Sequence, residues 1–212
     1  MDAAPVKIVA IDGPAAAGKG TLARRLAAEL GLPYLDTGLL YRAVGRRVLD
    51  AGADPADPTA ATAAAQGLTA ADLDRPDLRT PETAAASSVV AAIPAVRAAL
   101  LDFQRRFGAA GGAVLDGRDI GSVIFPDAPV KLFVTASPAA RARRRWLELT
   151  AGGTAVDLAT VEQDMAARDA RDASRDAAPM RPAADAVVID TTELDAESVF
   201  ALALRTVRDR LG

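Results

Sequence analysis

In this chain of 212 residues, the first 31 positions constrain the fold more than any other stretch. Lys7-Ile-Val-Ala-Ile-Asp12 is a short continuous apolar run, the pattern of a strand buried on both faces of a parallel sheet. Gly13-Pro14-Ala15-Ala16-Ala17-Gly18-Lys19 follows at once and matches the spacing G-x-x-x-x-G-K. A helix opens directly behind it, with Leu22, Leu26 and Leu30 on one stripe and Gly31 as its stop. Small residues between a buried strand and a helix N-terminus leave backbone N–H groups free to converge on phosphate oxygens. Lys19 adds a point charge for the β- and γ-phosphates. The expectation is an ATP site made by Gly13, Pro14, Ala15, Ala16, Ala17, Gly18, Lys19, Gly20 and Thr21.

The remaining pattern alternates strands with helices. Strands are expected at Pro33–Asp36, Ala113–Asp116, Val130–Val134 and Ala186–Asp190. Helices are expected at about Leu39–Leu49, Glu82–Phe107 with a break at Pro94, from Ser137-Pro138 to Gly152-Gly153, Asp157–Arg175 and Asp195–Leu211. Residues 50–80, rich in Ala, Asp, Pro and Thr, show no clean period and read as loose. Such alternation implies an α/β fold, a P-loop NTPase-type parallel sheet covered by helices. The length suits one domain.

Absent residue types exclude several chemistries. Without Cys or His there are no disulfides, thiolate nucleophiles, imidazole shuttles or His-ligated metals. Without Asn, the Asn-Lys-x-Asp guanine reader is missing. The 25 Lys and Arg nearly balance 28 Asp and Glu, which argues against a partner that is a nucleic-acid polymer. Only Lys7, Lys19 and Lys131 are lysines, so the chain is rich in planar guanidinium forks that grip phosphate oxygens two at a time. No run approaches membrane-spanning length, and the expected setting is a monomer in the cytoplasm with no membrane partner.

Several segments resemble bacterial cytidylate kinase, a nucleoside monophosphate kinase. They are Ile11-Asp-Gly-Pro-x3-Gly-Lys-Gly-Thr21, Leu35-Asp-Thr-Gly-x2-Tyr-Arg42, Leu115-Asp-Gly-Arg-Asp-Ile-Gly121, Phe125-Pro-Asp-Ala-Pro-Val-Lys131 and Arg168-Asp-x-Arg-Asp-x-Ser-Arg175. The resemblance implies phosphoryl transfer from ATP to CMP or dCMP. It implies a core of residues 1–37, 108–136 and 181–212, a small monophosphate-binding insertion at 38–107, and a helical lid at 137–180. By the same motifs, Thr37, Arg42, Arg118 and Arg175 would hold the acceptor's phosphate. Ser88 (or its neighbour Ser87), Arg97 and Asp119 would read the base, Arg168 and Asp172 would meet the ribose, and Arg144 would reach the donor phosphates. Lys19, Arg118, Arg144 and Arg175 form the expected catalytic set. Gly20 stands where Ser or Thr usually ligates Mg2+, so Thr21, directly or through water, and Asp116 are the expected metal ligands. One departure is visible: before Leu78–Glu82 the chain is short and strand-poor where the family carries a small antiparallel sheet.

The same residues also admit plainer readings. Arg168, Arg171 and Arg175 recur at i, i+3 and i+7 beside Asp169, Asp172 and Asp176, which a solvated helix laced with ion pairs would also show. Asp116 could cap a loop, and Asp119 could simply hold Arg118. Leu22, Leu26 and Trp146 are expected in the packing. A P-loop kinase for another metabolite, or a nucleotide switch without an acceptor, would share the first motif. The acceptor of a monophosphate kinase is already an anion, so no general base is expected.

Overall fold

The computed structural model describes residues 6–174 and 179–212. Five strands form one sheet: β1 (Ile8–Asp12), β2 (Tyr34–Asp36), β3 (Ala113–Asp116), β4 (Val130–Thr135) and β5 (Val187–Asp190), in the order β2-β3-β1-β4-β5. β1 runs parallel to β3 with Ile8 opposite Ala113, and parallel to β4 with Val9 opposite Val130. β5 continues parallel on the far side of β4. All five residues of β1 are buried, as its unbroken apolar run predicts for a central strand.

The helices are α1 (Lys19–Leu30), α2 (Thr37–Asp50), α3 (Pro58–Gln66), α4 (Pro81–Val90), α5 (Pro94–Ala109), α6 (Pro138–Ala151), α7 (Leu158–Ala173) and α8 (Ala196–Leu211). The chain divides into two compact units, Met1–Leu35 with Gly111–Gly212, and Asp36–Ala110. In the first unit α1 and α8 cover the sheet. Leu22, Leu26, Val199, Ala203 and Val207 pack on Val9, Ile11, Val114, Val130, Leu132 and Val134. The expected stripe on α1 is thus the core face. Gly31, with φ 64, ends the helix by donating to the carbonyls of Ala27 and Ala28.

After Asp36, which ends β2, the second unit has helices and turns but no further strand among its described residues, which agrees with the strand-poor reading. Residues 50–80 are more regular than their sequence suggests, however. Asp57 caps α3 by accepting from Thr59 and Ala60, and 3-10 turns at Ala70–Leu73 and Pro76–Arg79 follow. The buried Ala61, Ala65 and Leu78 join Leu40, Val44, Val48, Val90, Val96 and Leu100 in this unit's core. Pro94 does break the long helix, and α4 and α5 meet at 98°. No single described helix is long and apolar enough to cross a membrane.

Candidate active site

The loop after β1 turns under strict steric limits. Gly13 has φ 137, and a Cβ there would lie 1.9 Å from the carbonyl oxygen of Val134, so only glycine fits. Ala16, at φ 57, and Gly18, at φ 91, complete the reversal into α1. Lys19 is buried, and its ammonium donates to the Pro14 carbonyl at 2.8 Å. Burial first, and then the positive charge of Arg118, push its pKa down to about 7, against the opposing pull of Asp116 and Asp12. An anion seated in the loop would relieve this strain on the charged form.

At the carboxyl end of β3, Asp116 is buried and its Oδ1 accepts from the Tyr34 hydroxyl at 2.9 Å. Its Oδ2 lies 3.7 Å from the point where a Cβ on Gly20 would stand, so the carboxylate faces the start of α1. The absent side chain at Gly20 leaves that approach open. Thr21 is exposed and, with Ala17, Gly18 and Arg144, lines a cavity of about 270 Å³ that Thr191, Leu194 and Phe200 also border. Among the described residues no group of three His, Cys, Asp or Glu side chains could hold a metal alone. One buried carboxylate and one hydroxyl, both hard oxygen donors, fit Mg2+, which is ordinarily held by few protein groups together with substrate phosphates and water.

The turn after β3 carries the charges next to Lys19. Arg118 Nε donates to Asp172 Oδ2 on α7 at 2.8 Å, and Asp172 is almost wholly buried. Arg168, one turn earlier on α7, is half-buried and adds its positive charge at Lys19. Arg171 points to solvent, so the expected arginine stripe divides, with Arg168 inside and Arg171 outside. Asp119 is buried, and its carbonyl accepts from Val123 and Ile124 to begin a π-helical turn at Ile120–Ile124. Such wide turns are frequent at functional sites. Arg175 lies outside the described residues. Arg144 does not extend freely, because its guanidinium donates to Thr191 Oγ1 at 2.9 Å and to the Thr191 carbonyl at 2.6 Å.

The second unit holds the other expected acceptor residues. Thr37 begins α2 and is buried, and Arg42 donates to the Leu78 carbonyl at 2.8 Å. Ser87 and Ser88 are both buried on α4, but Ser87 Oγ is spent on the Ala84 carbonyl of its own helix at 2.8 Å. Arg97, on α5, places its guanidinium 5.7 Å from the centre of the Tyr41 ring and donates to the Ala91 carbonyl.

Three side chains that matter here are given no role by the motifs. Asp12 ends β1 and accepts from Ile120 N at 2.7 Å and Gly121 N at 2.8 Å. Its place inside the segment Ile11-Asp-Gly-Pro, and a carboxylate closing an otherwise apolar strand, are the hints. Thr191 links Arg144 to the phosphate loop, since its hydroxyl donates to the Ala17 carbonyl at 3.2 Å. Arg141, buried within the run Arg141-Ala-Arg-Arg-Arg145, donates to Ala15 O at 3.3 Å and to Asp169 Oδ2 at 2.6 Å. Beside it, Ala142, Trp146, Val161 and Met165 pack on Ala15 and Ala16, so α6 and α7 rest directly on the phosphate loop. Trp146 is packing, as expected.

The chain matches the family model for cytidylate kinase over residues 9–209. It is 64% identical over 201 residues to a cytidylate kinase of Granulibacter bethesdensis, covering 95% of this chain and 96% of that protein. It is 61% identical over 205 residues to a cytidylate kinase of Acidiphilium cryptum, covering 97% of each. Among solved structures, an uncharacterized protein of Eubacterium ventriosum shares the fold, with TM-score 0.58 and 15% identity over 96% of this chain and 99% of that one.

Proposed function

Because the chain belongs to the cytidylate kinase family, we propose that it transfers the γ-phosphoryl group of ATP to CMP and dCMP, giving ADP and the corresponding diphosphate. The observation that carries this reading is the charge cluster at the carboxyl ends of β1 and β3. There Lys19, Asp116, Arg118 and Arg168 converge, with Asp172 holding Arg118. Open α/β sheets bind ligands at this edge, where successive connections diverge to opposite sides.

In the transfer, an oxygen of the acceptor's phosphate forms a bond to the γ-phosphorus as the bond to the β–γ bridging oxygen breaks, and ADP leaves. Little covalent help is needed, because the reaction depends on holding two anions in line and offsetting charge on the moving group. Loop amides from Ala15 to Gly20 bind the donor phosphates, and Lys19 turns from Pro14 O to the β- and γ-oxygens. Arg118 and Arg175 grip the acceptor phosphate with Thr37 and Arg42, and Arg144 adds charge on the donor side. Ser88, Arg97 and Asp119 read the base, while Arg168 and Asp172 orient the ribose. Thr21 and Asp116 would hold Mg2+, which, when bound, neutralises charge on the phosphate oxygens. Helices α6 and α7, seated on Ala15 and Ala16, exclude the water that would otherwise take the phosphoryl group.

The test is ADP release over a panel of CMP, dCMP, UMP, AMP and GMP, with an ATP-only control. CMP and dCMP should give the highest kcat/KM, and ATP alone should be nearly idle. Equal ADP release with and without any monophosphate would instead identify a nucleotide-hydrolysing switch.

A further inference from the structure

We propose that Asp12 is a positioning residue for the acceptor, clamping the turn that presents Arg118 and Asp119 through the two consecutive amides behind them. Both of its oxygens are engaged: Oδ1 accepts from Ile120 N at 2.7 Å and Oδ2 from Gly121 N at 2.8 Å. The anchor is stiff, because Asp12 closes the central strand β1 and Gly13, its neighbour, is wedged against Val134. Gly117 N also donates to the Ile11 carbonyl at 2.9 Å, so the turn is tied to β1 on both sides of Arg118 and Asp119.

The second wall of the clamp is equally tight. A Cβ on Gly121 would stand 3.1 Å from Lys131 Cγ and 3.4 Å from Asp12 Oδ2. Lys131 cannot easily retreat, since its ammonium is bonded to Asp185 and to the Pro126 carbonyl. Asp12 spends both carboxylate oxygens on the amides of Ile120 and Gly121, so it reaches the acceptor through the turn it holds, while its charge also favours the Lys19 ammonium. What it holds begins immediately after Asp119. Its position directly before the phosphate loop makes the opposite assignment, to the donor, equally explicit and therefore testable.

This inference rests on the reading of Arg118 and Asp119 as acceptor-binding residues. Steady-state kinetics with CMP and ATP varied separately decides it, using wild type, Asp12→Asn, Gly121→Ala, Arg118→Lys and Asp119→Ala. In Asp12→Asn an amide donor replaces one acceptor oxygen opposite a backbone N–H, and the turn shifts. KM for CMP should then rise about tenfold or more, since small misplacements of binding groups cost one to two decades, while KM for ATP stays within about twofold. Gly121→Ala, which leaves every charge in place, should show the same split more weakly. It carries the comparison if Asp12→Asn melts below the assay temperature. A purely structural Asp12 would lower the melting temperature and leave both KM values alone, and that result overturns the proposal. So does a KM for ATP that rises as much as that for CMP. If Arg118→Lys and Asp119→Ala also leave CMP kinetics untouched, the acceptor reading itself falls; if they impair CMP while Asp12→Asn does not, only the clamp falls.

Discussion

Lys19 condenses at one residue the tension on which phosphoryl transfer depends. Its ammonium is buried beside Arg118 and Arg168 and donates to a loop carbonyl at 2.8 Å. Such a charge is poorly solvated until an anion arrives, so it is already placed for charge that develops on the moving phosphoryl group. Lys19→Met should fold, because it removes a charge that burial already disfavours. Its kcat should nevertheless fall by about three decades, the scale on which a single preorganised electrostatic partner acts. A folded Lys19→Met enzyme that keeps a tenth of wild-type turnover would remove Lys19 from the chemistry. Legibility at this scale follows sequence separation. Gly13 to Thr21 are readable because the loop is contiguous and each residue type has a local reason. Asp12 and Arg141 are not, since their partners lie 108 and 126 residues away and nothing near them in the chain names Ile120 or Ala15. For Arg141, the run of arginines on α6 signals charge without showing which member turns inward.

Among the elements, those with one strong local determinant agree with their sequence. Buried runs became central strands, Ser137-Pro138 opened α6 with the serine hydroxyl accepting from Ala140 N, and Pro94 separated α4 from α5. The stretch from 50 to 80 misled because its apolar face is alanine. Ala61 and Ala65 are fully enclosed, yet small side chains give a weak periodic signal beside Pro58, Asp57 and the threonines. The helix is instead set by its cap, with Asp57 Oδ1 accepting from Thr59 N at 2.8 Å, and by proline at the first helical position. Asp57→Ala should therefore cost about 1 kcal/mol of stability, the usual value of a lost N-cap. Denaturant unfolding followed by helical signal measures it. No change in midpoint would mean that packing against α2 and α5 holds α3 in place without the cap.

For the molecule as a whole, two buried ionisable groups oppose the usual pH dependence of a folded protein. Asp12 has its pKa raised to about 6, chiefly by burial, with Asp119 adding repulsion against the backbone donors that favour its charge. Lys19 is lowered to about 7. Linkage fixes the signs. Between about pH 4 and 6 the folded state holds a proton on Asp12 that the unfolded chain has released, so this group makes stability fall as pH rises. Between about 7 and 10 the unfolded chain holds a proton on Lys19 that the folded state lacks, so stability rises with pH. Each contributes a slope of at most about 1.4 kcal/mol per pH unit, one proton's worth. The lowered carboxylates, such as Asp50, Asp77 and Glu197, pull the other way in acid, but they are exposed partners of arginines and solvent screens them. Chemical unfolding of the nucleotide-free protein at half-unit steps from pH 6.5 to 9.5 should show stability increasing, and Lys19→Met should flatten that rise. A parallel rise in wild type and Lys19→Met would place its origin elsewhere. Donor binding should reverse the trend, because triphosphate beside Lys19 favours the charged ammonium. Calorimetric titration of ATP at pH 8, in buffers of different ionisation enthalpy, should therefore report net proton uptake that disappears in Lys19→Met.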